Sequence, residues 1–562
     1  MSSGPVFFVA DFTIETFARV MANTALPGVE TRLAPTNQVM AALVEGSPGP
    51  EWTAVVWTRP EQVAEHFQRA MLFDEADRAA AIEETRAFAA AVTEFARNTR
   101  ITFVPSWVTA PTYRGYGPLD LRPGAGVAAL LAQMNQTLAE SFRSESNVFV
   151  LDTSRWFSSI GQRGWSDKLW YASKSPFTPA LFELAAADIA AAIAALDGES
   201  RRIIILDLDD VLWGGLVGEV GWEGLMLGGH DHVGEAFVDF QRTLKALTRR
   251  GIQLAIVSKN DESAALDAID RHPEMILHRE DFAGWRINWN DKADNVVALL
   301  GEIGLGAESA VFIDDSPIER ARVSEAVAGI LVPDWPIDPA LFRGALASLR
   351  CFDTATLTAE DRSRTVMYAI ERDRKASVAA SANLEQWFAS LGVTVTVETL
   401  NQGNLERATQ LFNKTNQMNL ATRRLSAGEL LHWASQDGRA VFTFRVADRF
   451  GDSGLTGIVG LEREGTGARL TDFLLSCRVL GRHVEEALLH IAVGRARAVG
   501  AAELIADFVP TARNRPCLDF FRRSGLKSVG DHRFVWNVSE PYDCPQFVTL
   551  RDHTSVSTAG NL

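Results

Sequence analysis

Two carboxylates stand two residues apart, directly after a short apolar run near the middle of the sequence. The run is Ile203–Leu206, and the carboxylates are Asp207 and Asp209. An uninterrupted aliphatic run of this kind is typical of a strand that is buried on both faces. Because alternate residues at a strand end point in opposite directions, one carboxylate can enter a site while the next one's carbonyl faces it. Paired carboxylates at the end of a parallel strand suit Mg²⁺ binding and nucleophilic attack on phosphorus.

Three later segments carry polar residues at the ends of predicted strands or helices. A second apolar strand, LAIVSK, contains Ser258, and Lys292 opens a helical stretch. A third strand, VFIDD, ends with Asp314 and Asp315. An acid-x-acid pair, Ser, Lys and Asp-Asp in this order resemble the four motifs of the haloacid dehalogenase (HAD) superfamily of phosphotransferases. Four separated motifs in register favour a functional site over the solvated turn or helix cap that a lone Asp-x-Asp would more often be.

The resemblance gives each motif residue a role. Asp207 would be the nucleophile that takes the phosphoryl group, and Asp209 would protonate the leaving oxygen and later activate water. Ser258 and Lys292 would stabilise the phosphoryl oxygens. The predicted ligands of Mg²⁺ are oxygen atoms of Asp207, of Asp209 through its carbonyl, and of Asp314 or Asp315. The candidate substrate contacts, which are equally well explained as surface polar residues, are Asn260, Arg286 and Arg320.

Length and composition limit the class of protein. A chain of 562 residues is too long for one ordinary core, so we expect two to four domains. No apolar run reaches the roughly 18–20 residues of a membrane span, and the N-terminus lacks the basic region of a signal peptide. The net charge of −16 and the pI near 5.2 speak against nucleic acid as a partner. Four cysteines without C-x-x-C spacing indicate reduced thiols. We therefore expect a cytoplasmic protein that binds neither nucleic acid nor a membrane.

Residues 1–198 alternate short apolar strands with helices, which predicts a three-layer α/β domain with a parallel sheet. The order of elements, with Asn37 in a loop between the first two strands, is similar to SGNH-type esterases. Asp11 stands where that family has its nucleophilic serine, and Asp167 is followed by Lys168 and not by the family's Asp-x-x-His base. No hydrolytic triad can be assembled from these residues. We therefore expect a binding or docking module rather than a working esterase.

The middle domain, 199–362, has room between its motifs for a short flap and one helix, but not for a separate lid domain. Such an open site suits a bulky substrate or closure by a neighbouring domain. The segments LDLDDVLWGGLVGEVGWEG, LAIVSKND, HPEMILHREDFAGWRINWNDKADN and VFIDDSPIERARV are similar to the FkbH-like family of HAD-IIIC proteins, and LFNKTNQMNLATRRLS and LSCRVLGRHVEEALL extend the resemblance. That family makes glyceryl thioesters of carrier proteins from 1,3-bisphosphoglycerate for polyketide-type pathways. This chain departs from it at Asp210 and Ser316, where the family more often has Asn.

Residues 363–545 are predicted to form a third domain, whose order of strands and helices resembles the GNAT acyltransferase fold. In that family the loop R/Q-x-x-G-x-G/A presents backbone N–H groups to the pyrophosphate of coenzyme A. Arg478 and Gly481 keep two positions of this loop, and we expect both to contact substrate. His483 occupies the last position, where a side chain crowds a pyrophosphate, but the single phosphate of a carrier protein's phosphopantetheine could be accommodated. The polar end of the chain, 546–562, is predicted to be a disordered tail.

Cys477 directly precedes this loop, at a predicted strand end and near a helix N-terminus, with Arg478 and Arg482 as its basic neighbours. Such surroundings lower the pKa of a thiol, although a buried apolar position is the commonest fate of a free cysteine. A thiolate is a fitting acceptor for an acyl phosphate, so the resemblance predicts Cys477 as a catalytic residue. The arginines of this domain either form a basic face for an acidic carrier protein or are a solvated surface. They include Arg423, Arg424, Arg495, Arg497, Arg513, Arg515, Arg522 and Arg523.

The sequence thus predicts a Mg²⁺-dependent bifunctional enzyme. The acyl phosphate of 1,3-bisphosphoglycerate would acylate Cys477, the remaining phosphate would be removed at Asp207, and the glyceryl group would pass to an acyl carrier protein. Three alternatives remain open. The first is a plain phosphatase of a small phosphomonoester with flanking binding domains, the second a non-catalytic scaffold that docks carrier proteins, and the third a GNAT enzyme that uses coenzyme A.

Overall fold

The computed structural model describes residues 4–229, 231–354, 384–476, 479–511 and 513–554. The chain forms two compact units, residues 1–194 and residues 195–562, called here the first and second units. Both contain parallel strands flanked by helices, so the predicted α/β class is confirmed. The second unit contains two separate sheets, and the predicted domain boundaries at 198/199, 362/363 and 545/546 stay predictions.

The described part of the first unit has a parallel sheet in the order β2-β1-β3-β4-β5. Three of its strands, β1, β3 and β4, are buried on both faces, as their aliphatic runs predict. The strands are β1 Val6–Ala10, β2 Thr31–Leu33, β3 Thr53–Trp57, β4 Ile101–Pro105 and β5 Val148–Leu151. The helices are α1 Glu15–Val20, α2 Val39–Glu45, α3 Pro60–Val63, α4 Glu65–Met71, α5 Arg78–Ala96, α6 Val127–Ser141, α7 Thr153–Ile160, α8 Asp167–Ser173 and α9 Pro179–Leu196.

Helix α9 is the one helix in the described part of the chain that is long and apolar enough to cross a membrane by length and composition. Its residues Leu181, Phe182, Ile189 and Ile193 are buried within the protein. Since the core helix of a globular protein passes the same test, α9 is weak support for a membrane span.

The first sheet of the second unit is parallel, in the order β8-β7-β6-β9. Side chains of β6 alternate between two apolar clusters, because Ile204 and Leu206 face one side of the sheet and Ile203 and Ile205 the other. The strands are β6 Ile203–Leu206, β7 Gln253–Ser258, β8 Phe282–Ile287 and β9 Ala310–Ile313. The helices are α10 Val217–Val220, α11 His232–Thr248, α12 Glu262–Arg271, α13 Lys292–Ile303, α14 Pro317–Ala326 and α15 Phe342–Ala347. The carboxyl ends of β6, β7 and β9 therefore meet at one edge of the sheet.

The second sheet of this unit has the order β16-β17-β15-β14-β13-β12-β10-β18 among its described strands, and β11 pairs with the end of β14. It is antiparallel except for the pairs β14–β15 and β10–β18. The strands are β10 Val393–Thr399, β11 Met418–Asn419, β12 Arg439–Asp448, β13 Gly451–Glu464, β14 Gly467–Leu475, β15 Glu503–Asp507, β16 Lys527–Ser528, β17 Arg533–Asn537 and β18 Val548–Asp552. The helices are α16 Leu384–Leu391, α17 Leu405–Lys414, α18 Ala427–Ala434, α19 Val484–Ala498 and α20 Arg515–Arg523.

Strands β14 and β15 pair only near their starts. Towards their ends, the segment 418–420, which contains β11, lies between them. Their ladder covers 468–470 of β14, whereas Met418 pairs with Leu475 at its far end. The Leu420 carbonyl accepts from the N–H of Val509, which follows β15. The end of β14 is therefore held next to β11, which places Ser476 at the end of that strand pair.

The prediction of a disordered tail over 546–562 is wrong for its first part. Strand β18 pairs in parallel with β10, from Val548 opposite Val393 to Asp552 opposite Val397. Val548 and Leu550 alternate with polar residues, and Val548 is buried. This short period of two is the sequence signal of a strand. Residues 555–562 lie outside the described residues.

Candidate active site

Three carboxylates meet at the carboxyl edge of the β8-β7-β6-β9 sheet. Asp207 follows β6, and Asp314 and Asp315 follow β9; one carboxylate oxygen from each lies within 4.8 Å of the others. The N–H of Asp207 donates to the Ile313 carbonyl at 3.0 Å, which fixes the two strand ends side by side. The convergence that the sequence motifs predict is therefore present in the fold.

Lys292 lies between two of these carboxylates. Its Nζ donates to Oδ2 of Asp207 and to Oδ2 of Asp314, each at 2.6 Å, and its side chain is only 4% exposed. Burial lowers the pKa of Lys292, but the charges of the two aspartates outweigh it and raise the pKa above its ordinary value. Asp291 caps α13 by accepting from two backbone N–H groups, so Lys292 projects from the fixed first turn of a helix. The result is a permanent positive charge at the floor of the site.

The three carboxylates crowd one another in a way that a divalent cation would relieve. Burial and the neighbouring Asp207 raise the pKa of Asp314 to about 6, although Lys292 opposes them. Burial and the charges of Asp207 and Asp210 also raise the pKa of Asp315. Hard carboxylate oxygens around one point, next to a site open on one side, are the donors that Mg²⁺ takes while keeping some of its water. Asp207, Asp314 and Asp315 thus fit a magnesium site.

The carboxylate of Asp209 points away from this cluster, into the flap that follows β6. Its Oδ1 accepts from Trp213 Nε1 at 2.8 Å and from the N–H of Val217 at 3.1 Å, and its Oδ2 accepts from Asn260 Nδ2 at 2.9 Å. Three donors fix its orientation. The predicted roles of its carbonyl at the metal and of its carboxylate as acid and base stay predictions. Trp213 is a functional residue that the motif search missed, and its spacing four residues after Asp209 is the only signal for it.

Ser258 and Asn260 lie beside Asp209 at the end of β7. Both side chains are buried, and Asn260 Nδ2 is also 3.4 Å from Oγ of Ser258. Asn260, a predicted substrate contact, thus bridges the second and first motifs. In the contacts that the structure describes, Asn260 positions the carboxylate of Asp209.

The two predicted substrate arginines have different surroundings. Nη1 of Arg320 donates to the carbonyls of Asp314 and Asp315, at 2.8 and 2.7 Å, so that Arg320 holds the loop that carries both carboxylates. Arg286 instead pairs with Glu302 on α13 and donates to a neighbouring carbonyl. The contacts described for Arg286 do not bring it to the site.

The two departures from the FkbH-like pattern keep their local hydrogen bonds. Asp210 has a φ of 56°, a conformation that Asn and Asp tolerate better than most residues, and its Oδ1 accepts from the N–H of Gly215 at 2.8 Å. Ser316 caps α14, and its Oγ accepts from the N–H of Glu319. An asparagine could accept the same bonds, so neither departure changes the geometry of the site.

The predicted acyl-transfer residues Cys477 and Arg478 lie outside the described residues. The N–H of Gly481, a predicted substrate contact, donates to Oε1 of Glu485 at 2.7 Å, and burial raises the pKa of that carboxyl. Arg482 is buried and paired with the buried Asp448 at 3.1 Å. In this arrangement the loop's glycine N–H and Arg482 are both already engaged within the protein. The position of Gly481 therefore does not present a free N–H to a phosphate.

The cysteines that the structure describes are poor nucleophiles. Burial raises the pKa of Cys351 to about 11 and that of Cys517 to about 12, and it also raises the pKa of Cys544. All three stay protonated at neutral pH. None of them competes with Cys477 as the predicted acyl acceptor.

The first unit has a buried ion pair where a hydrolase of the SGNH type would have its nucleophile. Oδ2 of Asp11 accepts from Nε of Arg59 at 3.2 Å, and the guanidinium of Arg59 lies 4.1 Å from the ring centre of Trp170. Oδ1 of Asp11 is buried without a partner in the described part of the chain, and burial raises the pKa of Asp11 to about 7. The absence of hydrolytic activity in the first unit stays a prediction.

No protein-family model matches the chain, and no curated protein matches it. Among solved structures, the chain is similar to the N-terminal part of the protein BF1531 from Bacteroides fragilis, which contains a phosphatase domain and was crystallised with Mg. That chain is 24% identical, the match covers 63% of this chain and 95% of that chain, and the TM-score is 0.55. At this identity the likeness shows a shared fold, that of a phosphatase-containing protein.

Smaller parts of the chain are similar to acetyltransferases. A GNAT-family acetyltransferase from Staphylococcus aureus is 9% identical and matches 26% of this chain and 99% of its own, with a TM-score of 0.21. Nourseothricin acetyltransferase is 17% identical and matches 27% of this chain and 99% of its own, with a TM-score of 0.19. Scores this low carry no weight, so the GNAT-like arrangement expected from the sequence is described here by its strand order alone.

Proposed function

We propose that this chain is a Mg²⁺-dependent phosphatase coupled to an acyltransferase, which uses 1,3-bisphosphoglycerate to load a glyceryl thioester on an acyl carrier protein. The observation that carries the phosphatase half is the cluster of Asp207, Asp314 and Asp315 around one point, with Lys292 bonded to two of them at 2.6 Å. The glyceryl and carrier-protein half is supported by the resemblance of the motifs to the FkbH-like family.

The proposed phosphatase chemistry uses two carboxylates. Asp209 must first turn from its contacts with Trp213, Val217 and Asn260 towards the substrate before it can exchange a proton there. An oxygen of Asp207 attacks the phosphorus, the bond between phosphorus and the substrate's ester oxygen breaks, and that oxygen takes a proton from Asp209. A water then attacks the phosphorus of the aspartyl phosphate, gives its proton to Asp209, and releases Asp207 and inorganic phosphate. Lys292 balances the negative charge of the transferred group throughout. Bound Mg²⁺ would neutralise the phosphoryl oxygens and align them with Asp207.

The acyl transfer requires a thiolate and an activated acyl donor. The sulfur of Cys477 attacks the carbonyl carbon of the acyl phosphate, and the bond from that carbon to the phosphate oxygen breaks, which releases phosphate. The thiolate of a carrier protein's phosphopantetheine then attacks the thioester carbon and frees Cys477. The net charge of this chain, −16, means that an acidic carrier protein needs a local basic surface for docking.

In this proposal the acyl transfer takes place near Ser476, at the edge of the parallel sheet opposite to Asp207. Asp207 follows β6, whereas Arg202 precedes it, and Arg202 shares a cleft with Ser476, the residue before Cys477 in the sequence. Five residues of extended chain separate Arg202 from Asp207 by about 16 Å. The acyl group or its phosphate must therefore travel between two places, as it would on a carrier's flexible arm.

Intact-mass analysis of the enzyme and a holo carrier protein, with 1,3-bisphosphoglycerate generated in situ, tests this proposal. We expect glyceryl carrier protein with wild type, phosphoglyceryl species with Asp207→Asn, and no acyl enzyme with Cys477→Ala. Cys544→Ala is the matched control for Cys477→Ala, because burial raises the pKa of Cys544 and keeps it a protonated thiol; this variant should behave as wild type. Glyceryl loading that is unchanged in Asp207→Asn and Cys477→Ala would refute the assignments.

One observation favours a second candidate, a plain phosphatase whose other parts only bind. The Gly481 N–H and Arg482 are engaged by Glu485 and Asp448, so the loop expected to hold a phosphopantetheine phosphate is closed by the chain's own side chains. This alternative predicts full turnover of a phosphomonoester, no thioester at any stage, and no effect of Cys477→Ala.

A further inference from the structure

A cleft of about 380 Å³ opens within the second unit, between its two sheets. On one side it is lined by Arg202 and Gln253, which lie at the amino edge of the parallel sheet, immediately before β6 and at the start of β7. On the other side it is lined by α17 and by the start of α20. We call it the arginine cleft. It is remote from Asp207, which lies at the opposite edge of the same sheet.

The arginine cleft is positive in a protein that is negative overall. Its lining includes a single acid, Glu308, whose Oε1 lies 3.5 Å from Nε of Arg513. Its lining cations are Arg202, Arg407, Lys414, Arg513 and Arg515. Burial, together with the charges of Arg202 and Arg513, lowers the pKa of the adjacent Arg424, while Asp197 opposes them. Cations that repel one another across a cleft are a site for an anion.

The floor of the cleft also contains an unused hydrogen-bond acceptor. Gln253 is fully buried, and its Oε1 has no partner in the described part of the chain, whereas its Nε2 donates to the Gly251 carbonyl at 3.3 Å. A buried carbonyl oxygen without a donor is costly and calls for a ligand or water N–H or O–H group. The ligand should therefore combine an anionic group with an amide N–H.

Ser476 lines the same cleft and precedes Cys477, the predicted acyl acceptor, in the sequence. The loop that would otherwise hold a phosphate has its Gly481 N–H engaged by Glu485. A phosphopantetheine chain meets these requirements. It ends in a thiol that can reach towards Cys477, it carries a phosphate that arginines can bind, and it contains two amides. Its size suits a cavity within the roughly 300–1,000 Å³ of small-molecule sites.

We propose that the arginine cleft receives the phosphopantetheine arm of the carrier protein, with its phosphate on Arg513 and Arg515 and an amide N–H on Gln253. This inference rests on the proposed function, because it takes a carrier protein as the acyl acceptor. It adds the place at which the arm enters and the residues that bind it. It also explains why a phosphate site is absent from the described part of the Gly481 loop.

Calorimetric binding of 4′-phosphopantetheine to the full chain tests the proposal. Arg513→Ala removes a charge-assisted bond and should raise the Kd about tenfold or more. Gln253→Met removes the unpartnered acceptor and should also raise the Kd. Because it also removes the bond from Nε2 to the Gly251 carbonyl, its melting temperature is measured alongside to confirm that the variant is folded at the temperature of the titration. Arg533→Ala is the matched control, because Arg533 is half-exposed like Arg513 but pairs with Asp507, away from the cleft. The Kd of this variant for 4′-phosphopantetheine should equal that of wild type.

Two further arms separate the possible outcomes. Pantetheine without the phosphate should bind weakly and should not respond to Arg513→Ala, whereas 3-phosphoglycerate should not compete for the cleft. Equal Kd values in all variants, no binding, or displacement by 3-phosphoglycerate would each overturn the proposal. Turnover of a small phosphomonoester should be unchanged in Arg513→Ala and Gln253→Met, because Asp207 lies at the other edge of the sheet. Failure of wild type to load glycerate in the mass experiment would instead refute the proposed function, whatever binds in the cleft.

Discussion

Replacing Lys292 by Met should separate the charge of this side chain from its bulk. Met has nearly the same length but no ammonium group, so the two bonds of 2.6 Å to Asp207 and Asp314 are lost. The partners are 10% and 0% exposed, which means that water cannot easily replace the missing donor. Two buried carboxylates are then left facing each other without a cation.

The magnitude follows from this burial. Removing one member of a buried ion pair costs about 3–5 kcal/mol, because the remaining charge stays desolvated. Without Mg²⁺, local opening at the site should therefore become roughly 150- to 5,000-fold more frequent. Added Mg²⁺ should reverse most of this loss, since a divalent cation supplies the charge that Lys292 gave. Turnover should nevertheless fall by about 10²–10³ even with saturating Mg²⁺, because a fixed positive group at the phosphoryl oxygens is gone.

Hydrogen–deuterium exchange of the β6 and α13 peptides, with and without Mg²⁺, measures the first effect, and steady-state hydrolysis of a phosphomonoester measures the second. Lys259→Met is the control: Lys259 also pairs with a carboxylate at 2.6 Å, that of Glu319, but it is more than one-third exposed and lies outside the carboxylate cluster. It should change exchange and turnover little. Turnover of Lys292→Met within about threefold of wild type, or an equal loss in Lys259→Met, would refute the reasoning.

Three other predictions concern residues that position the site or report on burial. Asn260→Leu removes one of three donors to Asp209, so kcat should fall about tenfold with KM unchanged in steady-state assays; a change in KM alone would contradict a positioning role. Arg320→Ala releases the two carbonyls of the loop after β9 and should raise the Kd for Mg²⁺, measured by calorimetry, about 10–100-fold. Arg320→Lys should not restore binding, and an unchanged Kd in Arg320→Ala would contradict this role of Arg320. Asp11 has a pKa of about 7 when folded against 3.8 as its ordinary value, so the folded state holds its proton between these pH values and the unfolded state does not. Stability should therefore rise as pH falls from 8 to 5, by up to about 2–3 kcal/mol relative to Asp11→Asn in urea unfolding, and a parallel pH profile in the two proteins would contradict this.

The core of the site could be predicted because its signals are local. Strand β6 is buried on both faces, and a strand of this kind reads as a continuous aliphatic run. Asp207, Ser258 and Asp314 lie at or directly after strand ends, and Lys292 at a helix start, so each could be placed from its own neighbours in the sequence. Parallel strands then bring these ends to one edge without further information.

The contacts that orient the motif residues could not be predicted. Asn260 and Asp209 are 51 residues apart, and their bond depends on the rotamers of two side chains after the strands have paired. Arg286 and Arg320 look alike in the sequence. Arg286 nevertheless pairs with Glu302 on a helix, whereas Arg320 donates to the carbonyls of the loop that carries Asp314 and Asp315. Polar side chains of this kind have many possible partners, and only the tertiary fold selects one.

Features formed by segments that are distant in the sequence could not be predicted either. Strand β18 pairs with β10 across more than 150 residues; its alternating pattern indicates a strand but does not show which strand it pairs with. The arginine cleft is formed where the amino edge of one sheet meets helices of the other. Its arginines are spread over three separate stretches of sequence, so the charge pattern along the chain shows arginines but not the cleft.

The central claim is that Asp207 is the phosphoryl acceptor of a magnesium site, and Mg²⁺-dependent turnover of a small phosphomonoester tests it most directly. With wild type, Mg²⁺ should give turnover that EDTA abolishes and that added Mg²⁺ restores. Asp207→Asn should lower this turnover about 10³-fold or more at any Mg²⁺ concentration. Turnover that survives in EDTA, or in Asp207→Asn at a level near that of wild type, would contradict the claim.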